Sequence, residues 1–285
     1  MKRPSELALE EVAMGTLAEI TSAFEGLASM RISQIKDQVM QATQFYHALW
    51  SIYLQIRVGS QFRFGRADDK QVLNKELLII ITAEGGFSGD IDFKLVQLLK
   101  NDYDPAKNDI IVIGHHGAMQ LAQAGIPYKK YFKLPNRDKD INVAPLMREV
   151  RQYKSTAIYY QEYLSLMDQK VKRIDLSKEV NNRGEQAKLS EIISESNYIF
   201  EPSTFEVVAH LERSMIQIIV GQLILESKLA QYASRFRAMS AAHNRADEIK
   251  QEVHIDFNRA RRALKDERLK EIINGIKKSG LGAGV

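Results

Sequence analysis

Long segments without proline at both ends of the chain limit the possible folds more than any other feature. In the second of them, from Ser203 to about Lys278, apolar side chains recur at alternating steps of three and four residues. This spacing puts one apolar stripe on one face of a helix and is typical of a coiled coil. Such a helix is about 110 Å long, whereas a compact domain of this mass is about 40 to 50 Å across. The sequence therefore predicts a projecting helix. Its stripe consists of Val208, Leu211, Met215, Ile218, Gln222, Leu225, Leu229, Tyr232, Phe236, Met239, His243 and Ala246, and resumes at Val253, Phe257, Ala260 and Leu264.

The first segment, from about Ser5 to Ile56, has the same kind of pattern in two registers. Ser5 and Glu6 suit a helix start after Pro4. Two long apolar stripes at opposite ends of one chain favour pairing with each other in antiparallel fashion. The first register is Ala13, Leu17, Ile20, Phe24 and Leu27, and the second is Ile32, Ile35, Val39, Ala42, Tyr46, Leu49, Tyr53 and Ile56.

Between these helices, strands and helices alternate, which favours parallel βαβ units. Buried strands are predicted at 77–82 and 109–114, with later strands at 171–176 and 198–201. Helices are predicted at 90–100, 118–123 and 143–170. The predicted fold class is α/β, with a long antiparallel coiled coil of the terminal helices and a small Rossmann-like α/β domain. The predicted boundaries are 1–58 and 203–280 for the two coiled-coil helices and 72–202 for the α/β domain.

Composition excludes several classes of protein. The net charge is +4, from 40 basic and 36 acidic side chains, which does not suit a dedicated nucleic-acid binder. Because the chain has no cysteine, it has neither disulfides nor thiolate metal sites. We find no run of about 18 apolar residues and no apolar signal-peptide core, so we predict a soluble, cytoplasmic protein.

The loop from Thr82 to Gly89 follows a strand and precedes a helix, the usual position of a phosphate-binding loop. It reads Thr-Ala-Glu-Gly-Gly-Phe-Ser-Gly and lacks the lysine and the glycine spacing of the known phosphate loops. We interpret it as a tight turn, with nucleotide binding as the less favoured alternative.

Other polar groups also have a structural explanation. His115 and His116 close a strand, but no further metal ligands converge on them by spacing. The carboxylate pairs Asp68–Asp69 and Asp102–Asp104 lie in polar loops without an acid-base partner. The basic run of Arg259, Arg261, Arg262 and Lys265 suits a solvated helix face, and residues 61–66 suit a linker turn. We therefore predict no catalytic residue, cofactor or metal, and favour a shaft, spacer or scaffold over a nucleotide-binding α/β enzyme with helical arms.

Three places in the chain together resemble the γ subunit of rotary F-type ATP synthases. Ile20-Thr-Ser-Ala-Phe-Glu-Gly-Leu-Ala-Ser29 is similar to the family's Ile-Thr-Lys-Ala-Met-x-Met-Val-Ala-Ala. Ile80-Ile-Thr-Ala-Glu-Gly-Gly-Phe-Ser-Gly89 is similar to its strand followed by Asp-Arg-Gly-Leu-Cys-Gly-Gly. The third place begins with Tyr198-Ile-Phe-Glu-Pro202 and carries Ala233-Ser-Arg-Phe-Arg-Ala-Met239, Phe257-Asn-Arg-Ala-Arg-Arg-Ala263 and Glu271-Ile-Ile-Asn-Gly275.

The resemblance implies a rotor. In this family the terminal helices form a coiled coil inside a hexamer of three α and three β subunits. The α/β domain and the ε subunit seat on the membrane ring of c subunits, and ATP chemistry belongs to β. It implies no catalytic residue or cofactor in this chain, and a peripheral location on the cytoplasmic face of the cell membrane. The alternatives are a coiled-coil scaffold and the rotor of a repurposed F-like assembly.

The resemblance also implies a set of residues that contact the β subunits. The family's Arg-Gln pair at the β catch loop falls on Arg261 and Arg262, and three downstream polar residues fall on Asp266, Arg268 and Glu271. The Met-x-Met face of the first helix becomes Phe24, Glu25 and Gly26. These departures, and acidic Glu10, Glu11 and Glu19 on the first helix, favour a divergent, sodium-type or F-like branch. The coupling ion and the working direction do not follow from the sequence.

Overall fold

The computed structural model describes residues 2–56, 73–135, 137–185, 201 and 203–280. The linker turn predicted at 61–66 and all but the last residue of the strand predicted at 198–201 lie outside them. The helices are α1 (Pro4–Ile56), α2 (Ile91–Asp102), α3 (His115–Gln123), α4 (Ala144–Val150), α5 (Leu176–Glu185) and α6 (Thr204–Gly280). The strands are β1 (Leu73–Ile81), β2 (Asn108–Ile113), β3 (Lys130–Phe132), β4 (Tyr153–Tyr163) and β5 (Gln169–Asp175).

The chain divides into two compact units. The smaller consists of Met1–Leu27 with Ala238–Val285, and the larger of Ala28–Arg237. Helices α1 and α6 contribute residues to both. The domain boundaries predicted from the sequence stay a prediction.

The larger unit contains a five-stranded sheet in the order β3-β2-β1-β4-β5. Strands β1 to β4 run parallel, and β5 pairs antiparallel with β4. The run Leu77–Ile81 in the central strand is buried on both faces, as expected for a parallel strand covered on two sides. The strands predicted at 77–82, 109–114 and 171–176 and the helices at 90–100 and 118–123 are confirmed.

The helix predicted at 143–170 is wrong. Only Ala144–Val150 is helical, and Tyr153–Tyr163 forms β4 beside the central strand. This stretch contains four tyrosines, an isoleucine and a threonine in eleven residues, and such side chains pack well on a pleated sheet. Tertiary pairing with β1 therefore overrides the apparent helical spacing.

Helices α1 and α6 cover one face of the sheet, and α2 and α3 cover the other. On the first face, α1 contributes Tyr46, Trp50 and Tyr53, each at most 3% exposed. The Tyr53 hydroxyl donates to Glu212 over 3.1 Å and the Gln222 amide donates to Thr43 over 2.6 Å. Because the later residue of α1 meets the earlier residue of α6, the two helices are antiparallel here. The second predicted register of α1 is confirmed, since its described members from Ile32 to Tyr53 are buried or half-buried.

The smaller unit is also an antiparallel helix pair. His254 Nδ1 lies 2.9 Å from a Glu11 carboxylate oxygen, and His243 Nδ1 donates to the Ala18 carbonyl over 2.9 Å. Leu7 packs in one apolar cluster with Val253 and Ala260. The stripe predicted on α6 is buried or half-buried in both units as far as Ala260, whereas Leu264 is exposed.

The first predicted register of α1 is wrong. Its members Ala13, Leu17, Ile20, Phe24 and Leu27 are exposed. The buried positions are instead Leu7, Ala18 and Thr21. Small side chains at Ala18 and Thr21 let the two helices approach closely there, so the larger Leu17 and Ile20 lie outside the seam. Between residues 13 and 27, the large apolar residues therefore mark the exposed face.

This seam supports a pair of contrasting substitutions. Ala18→Leu adds a branched side chain at a position that is 4% exposed, and overpacking of this kind destabilises by about 1–3 kcal/mol. Ile20→Ala, on the exposed face, should change the free energy of unfolding by about 0.5 kcal/mol or less. Urea unfolding of the two full-length variants checks this. A larger loss for Ile20→Ala would show that the sequence-predicted register is the real seam.

One helix among the described residues passes a length and composition test for crossing a membrane. Within residues 206–278 of α6, an 18-residue window reaches a mean hydropathy of 1.2, and 44% of it is buried inside the protein. Met215, Ile219 and Leu223 from this helix lie in the core beside the sheet. We attribute the apolar character of this helix to its packing in the core.

Candidate subunit interface

The last part of α6 is the most exposed regular structure in the described chain. Ala260 is its last buried residue, and every residue from 261 to 278 is exposed. Five large apolar side chains lie there, Leu264, Leu269, Ile272, Ile273 and Ile276, each at least 41% exposed. A surface helix of a lone globular protein buries its apolar groups. The composition of this segment, which we call the α6 tip, is that of a protein-binding surface.

Five of the residues assigned by resemblance to the β interface lie on the α6 tip. They are Arg261, Arg262, Asp266, Arg268 and Glu271, and all five are exposed. Within the described part of the chain, none of their side chains makes a hydrogen bond or ion pair. The nearby Arg259 bonds instead to Asp256 of its own helix over 3.3 Å. The tip therefore presents mixed charge around apolar side chains.

The structure does not bring Phe24 and Glu25 to that group. Phe24 is 36% exposed and Glu25 is half-buried, both on α1. They follow Ala18, which meets His243, and eighteen residues of helix separate His243 from Arg261. At 1.5 Å per residue this is about 27 Å. The seven predicted interface residues thus form two separate groups in the smaller unit.

Charge pairing between the two helices is limited. Of the acidic residues noted on α1, Glu11 reaches His254 across the pair, whereas Glu10 bonds to Lys2 of its own segment over 2.7 Å. These groups lie at the surface, where an ion pair contributes about 0–1 kcal/mol. Burial of the apolar cluster of Leu7, Val253 and Ala260, and not the charge difference, therefore holds the pair together.

A second polar site lies in the larger unit, where α6 crosses the carboxyl ends of the parallel strands. Its centre is the Asp92 carboxylate, which is 2% exposed and accepts the Gln161 amide over 2.8 Å. His116 Nδ1 lies 3.1 Å from the other carboxylate oxygen. The Gln161 carbonyl oxygen in turn accepts from Ser227 and Gln231 of α6. We call this set the α6 dock.

Flanking contacts extend the α6 dock on both sides. Ser234 donates to the Ser88 carbonyl over 2.7 Å, and the Arg235 guanidinium donates to the carbonyls of Gly85 and Gly86 over 3.2 and 3.1 Å. Lys228 forms a buried ion pair with Asp138. In doubly wound folds, ligands bind outside the carboxyl ends of the strands. Here α6 side chains bind to that loop, which supports the tight-turn interpretation of residues 82–89 over nucleotide binding.

The remaining candidate groups have structural partners. Asp102 accepts the Tyr159 hydroxyl over 2.7 Å, and burial together with this carboxylate raises the pKa of Tyr159 well above its usual range. Asp104 accepts the Ala106 amide over 2.9 Å and caps its own loop. Asp68 and Asp69 lie outside the described residues. In the described ranges, no three histidine, aspartate or glutamate side chains form a group able to hold a metal ion.

Comparison with known proteins identifies the class of this chain. A family model described as ATP synthase matches residues 12–277. The ATP synthase γ chain of Chlorobium phaeobacteroides is 24% identical over 90% of this chain and 92% of its own length. The γ chain of Geobacter metallireducens is 22% identical over 93% of this chain and 94% of its own.

Solved structures share the fold. A chain of the Euglena gracilis mitochondrial ATP synthase, in an assembly of OSCP, F1 and c-ring, superposes with a TM-score of 0.58 at 17% identity, covering 96% of each chain. A chain of the Tetrahymena thermophila central stalk and c-ring has the same TM-score and identity, over 78% of this chain and 99% of its own.

Because the family model covers most of its length, the chain belongs to the ATP synthase family. Its relatives place it among the ATP synthase γ chains. A γ chain is a non-catalytic stalk subunit, and catalysis takes place in the β subunits.

Proposed function

We propose that this chain is a rotor that couples rotation of a membrane ring of c subunits to conformational changes at the catalytic β subunits. Coupling of this kind is an energetic linkage between distant sites through an element with several stable orientations. The observation that carries the proposal is the α6 tip. It combines exposed apolar side chains with seven basic and three acidic groups between residues 261 and 278.

The proposed partners follow from this role. The α6 tip lies within a hexamer of α and β subunits, and Arg261, Arg262, Asp266, Arg268 and Glu271 contact a β catch loop. Phe24 and Glu25 form a second contact lower on the same shaft. Residues 72–202, together with an ε subunit, seat on the c ring at the cytoplasmic face of the cell membrane, while residues 1–58 and 203–280 form the shaft.

The alternatives are a stand-alone coiled-coil scaffold and the rotor of a repurposed F-like assembly. A pull-down of the chain from native membranes, with identification of the chains that co-purify, separates a rotor from a stand-alone scaffold. Capture of α-, β-, ε- and c-like subunits supports the rotor, and absence of α- and β-like subunits rejects it. ATP turnover is expected only in that complex, so ATP binding by the isolated chain in calorimetry would favour an enzyme.

Charge reversal at the α6 tip tests the β contact directly. We propose that the β catch loop presents acidic groups to Arg261 and Arg262. Arg261→Glu combined with Arg262→Glu should then reduce ATP-driven ion pumping by about tenfold or more, since like charges opposed across an interface cost several kcal/mol. Both side chains are exposed, so the free energy of unfolding should change by about 0.5 kcal/mol or less. Pumping by the assembled complex and urea unfolding of the isolated chain are the two measurements.

The matched control is Lys36→Glu combined with Arg213→Glu, two exposed charges in the larger unit that lie outside residues 72–202 and outside the proposed β contacts. It changes the net charge by the same amount and should leave pumping near the parent level if the contact is local to the tip. Equal losses in both variants would indicate a general charge effect and would remove the assignment of Arg261 and Arg262.

A further inference from the structure

The α6 dock contains a buried charge that the proposed rotor function does not explain. Asp92 is 2% exposed, and its carboxylate accepts hydrogen bonds from the Gln161 amide and the Ala83 backbone, the latter over 3.3 Å. A buried carboxylate needs such partners, because an unpaired one is strongly destabilising. His116 is the one accessible member of this group, with 26% of its side chain exposed.

The chemistry of Asp92 sets the direction of the hydrogen bonds that reach α6. An ionised carboxylate only accepts, so Gln161 turns its amino group toward Asp92. Its carbonyl oxygen then faces α6, where it accepts from the Ser227 hydroxyl and from the Gln231 amide over 3.2 Å. Gln161 is 0% exposed, so no solvent satisfies it in another orientation. The negative charge on Asp92 thereby fixes which atom of Gln161 the α6 side chains meet.

Two charged groups face His116. Asp92 of α2 raises the pKa of the imidazole above its ordinary value of 6.5 through their hydrogen bond, while burial and Arg235 of α6 lower it. The net direction is upward, so the folded protein favours the protonated ring. Stability from this group is then fully present below about pH 6.5 and is lost as the pH rises through the folded pKa.

We propose that Asp92, His116 and Gln161 form a proton-sensitive clamp that holds residues 227–235 of α6 against the carboxyl edge of the sheet. With His116 protonated, a charge-assisted bond fixes Asp92, Asp92 orients Gln161, and Gln161 accepts from α6. Loss of the proton weakens the first bond, and α6 opens more often. The clamp is independent of the proposed rotor function, because every group in it belongs to this chain.

A single cysteine makes this opening measurable. The chain has no cysteine, and Ser234 is 1% exposed against the glycine-rich loop. In full-length Ser234→Cys, a thiol reagent reacts only when α6 leaves the dock. The labelling rate is divided by that of Ser29→Cys, an exposed position, which removes the pH dependence of the thiol itself. We expect the normalised rate to rise about three- to tenfold from about pH 6 to about pH 8, the range that one hydrogen bond supplies.

Matched variants identify the group responsible. His116→Gln in the Ser234→Cys chain should abolish the rise with pH, whereas His115→Gln, which changes the exposed neighbouring histidine, should retain it. If His116→Gln does not fold, Asp92→Asn provides a neutral side chain of the same shape and should give the same flat profile. A flat profile in the parent, or a rise that survives both His116→Gln and Asp92→Asn, overturns the proposal.

Discussion

Gly114→Ala is expected to destabilise the larger unit by several kcal/mol, a large part of the total stability of a domain. Gly114 has φ +97°, a conformation that side chains rarely adopt. A Cβ at this position would lie 2.0 Å from the Thr82 carbonyl oxygen and 2.6 Å from the carbonyl carbon. Both atoms are backbone of the neighbouring strand end, so no side-chain movement relieves the clash. Urea unfolding of the full-length variant, or failure to recover folded protein, is the measurement.

Two other glycines separate the effect of the Cβ clash at Gly114 from the strain of its positive φ. Gly125 has φ +68° but open space where a methyl group would lie, so Gly125→Ala should cost only about 1–2 kcal/mol of backbone strain. Gly26 lies within α1, also with nothing nearby, so Gly26→Ala should stabilise by about 0.5–1 kcal/mol. Equal effects for Gly114→Ala and Gly125→Ala would refute the close approach of Gly114 to Thr82.

The need for glycine at position 114 illustrates what the sequence does not reveal. The strand before it is evident from Ile110 to Ile113, four apolar residues in a row. The contact partner is Thr82, whose amide donates to the Ile113 carbonyl over 2.8 Å and whose hydroxyl accepts the Gly117 amide over 2.9 Å. Parallel pairing brings together residues that are more than thirty positions apart in the sequence. The spacing of nearby residues does not predict such a pairing.

The helices show the same division between local and long-range information. Long uninterrupted helices were predictable because proline is absent and the apolar steps of three and four are local. Which face of α1 lies inside was predictable where large residues such as Tyr46 and Tyr53 fill the seam. It was not predictable around Ala18, because alanine is only weakly hydrophobic. The larger Leu17 and Ile20 beside it dominate the hydrophobic pattern. In Tyr153–Tyr163, the aromatic and β-branched content was a usable signal for a strand.

The α6 tip and the α6 dock also differ in how close together their residues lie in the sequence. Charges and apolar groups on the α6 tip are contiguous in sequence, so the run from Arg261 to Lys278 could be recognised as one surface. The α6 dock joins Asp92, His116, Gln161 and Ser227 from four separate elements, and each residue alone looks ordinary. A buried polar site assembled by topology is visible only once the strand order is known.

Leu225→Pro is expected to abolish coupling between ATP turnover and ion pumping, or to prevent assembly of the complex. Residues 204–280 form one uninterrupted helix, and Leu225 lies in its interior, half-buried. Proline removes the amide that donates to the carbonyl of Gly221, and its ring clashes with that carbonyl, at a cost of about 3 kcal/mol or more. A kink there also displaces Ser227 and Gln231, which follow within two turns and hold the α6 dock.

Leu225→Ala is the matched control, since it shortens the same side chain and keeps the helix hydrogen bond. Its loss of stability should be about 1 kcal/mol, typical of a point substitution, and the complex should assemble and pump near the parent level. Urea unfolding of both full-length variants and ATP-driven ion pumping of both complexes complete the comparison. Normal pumping with Leu225→Pro would mean that torque does not require an unbroken helix at this position, so the rotor would have to transmit force through α1 or through the α/β unit.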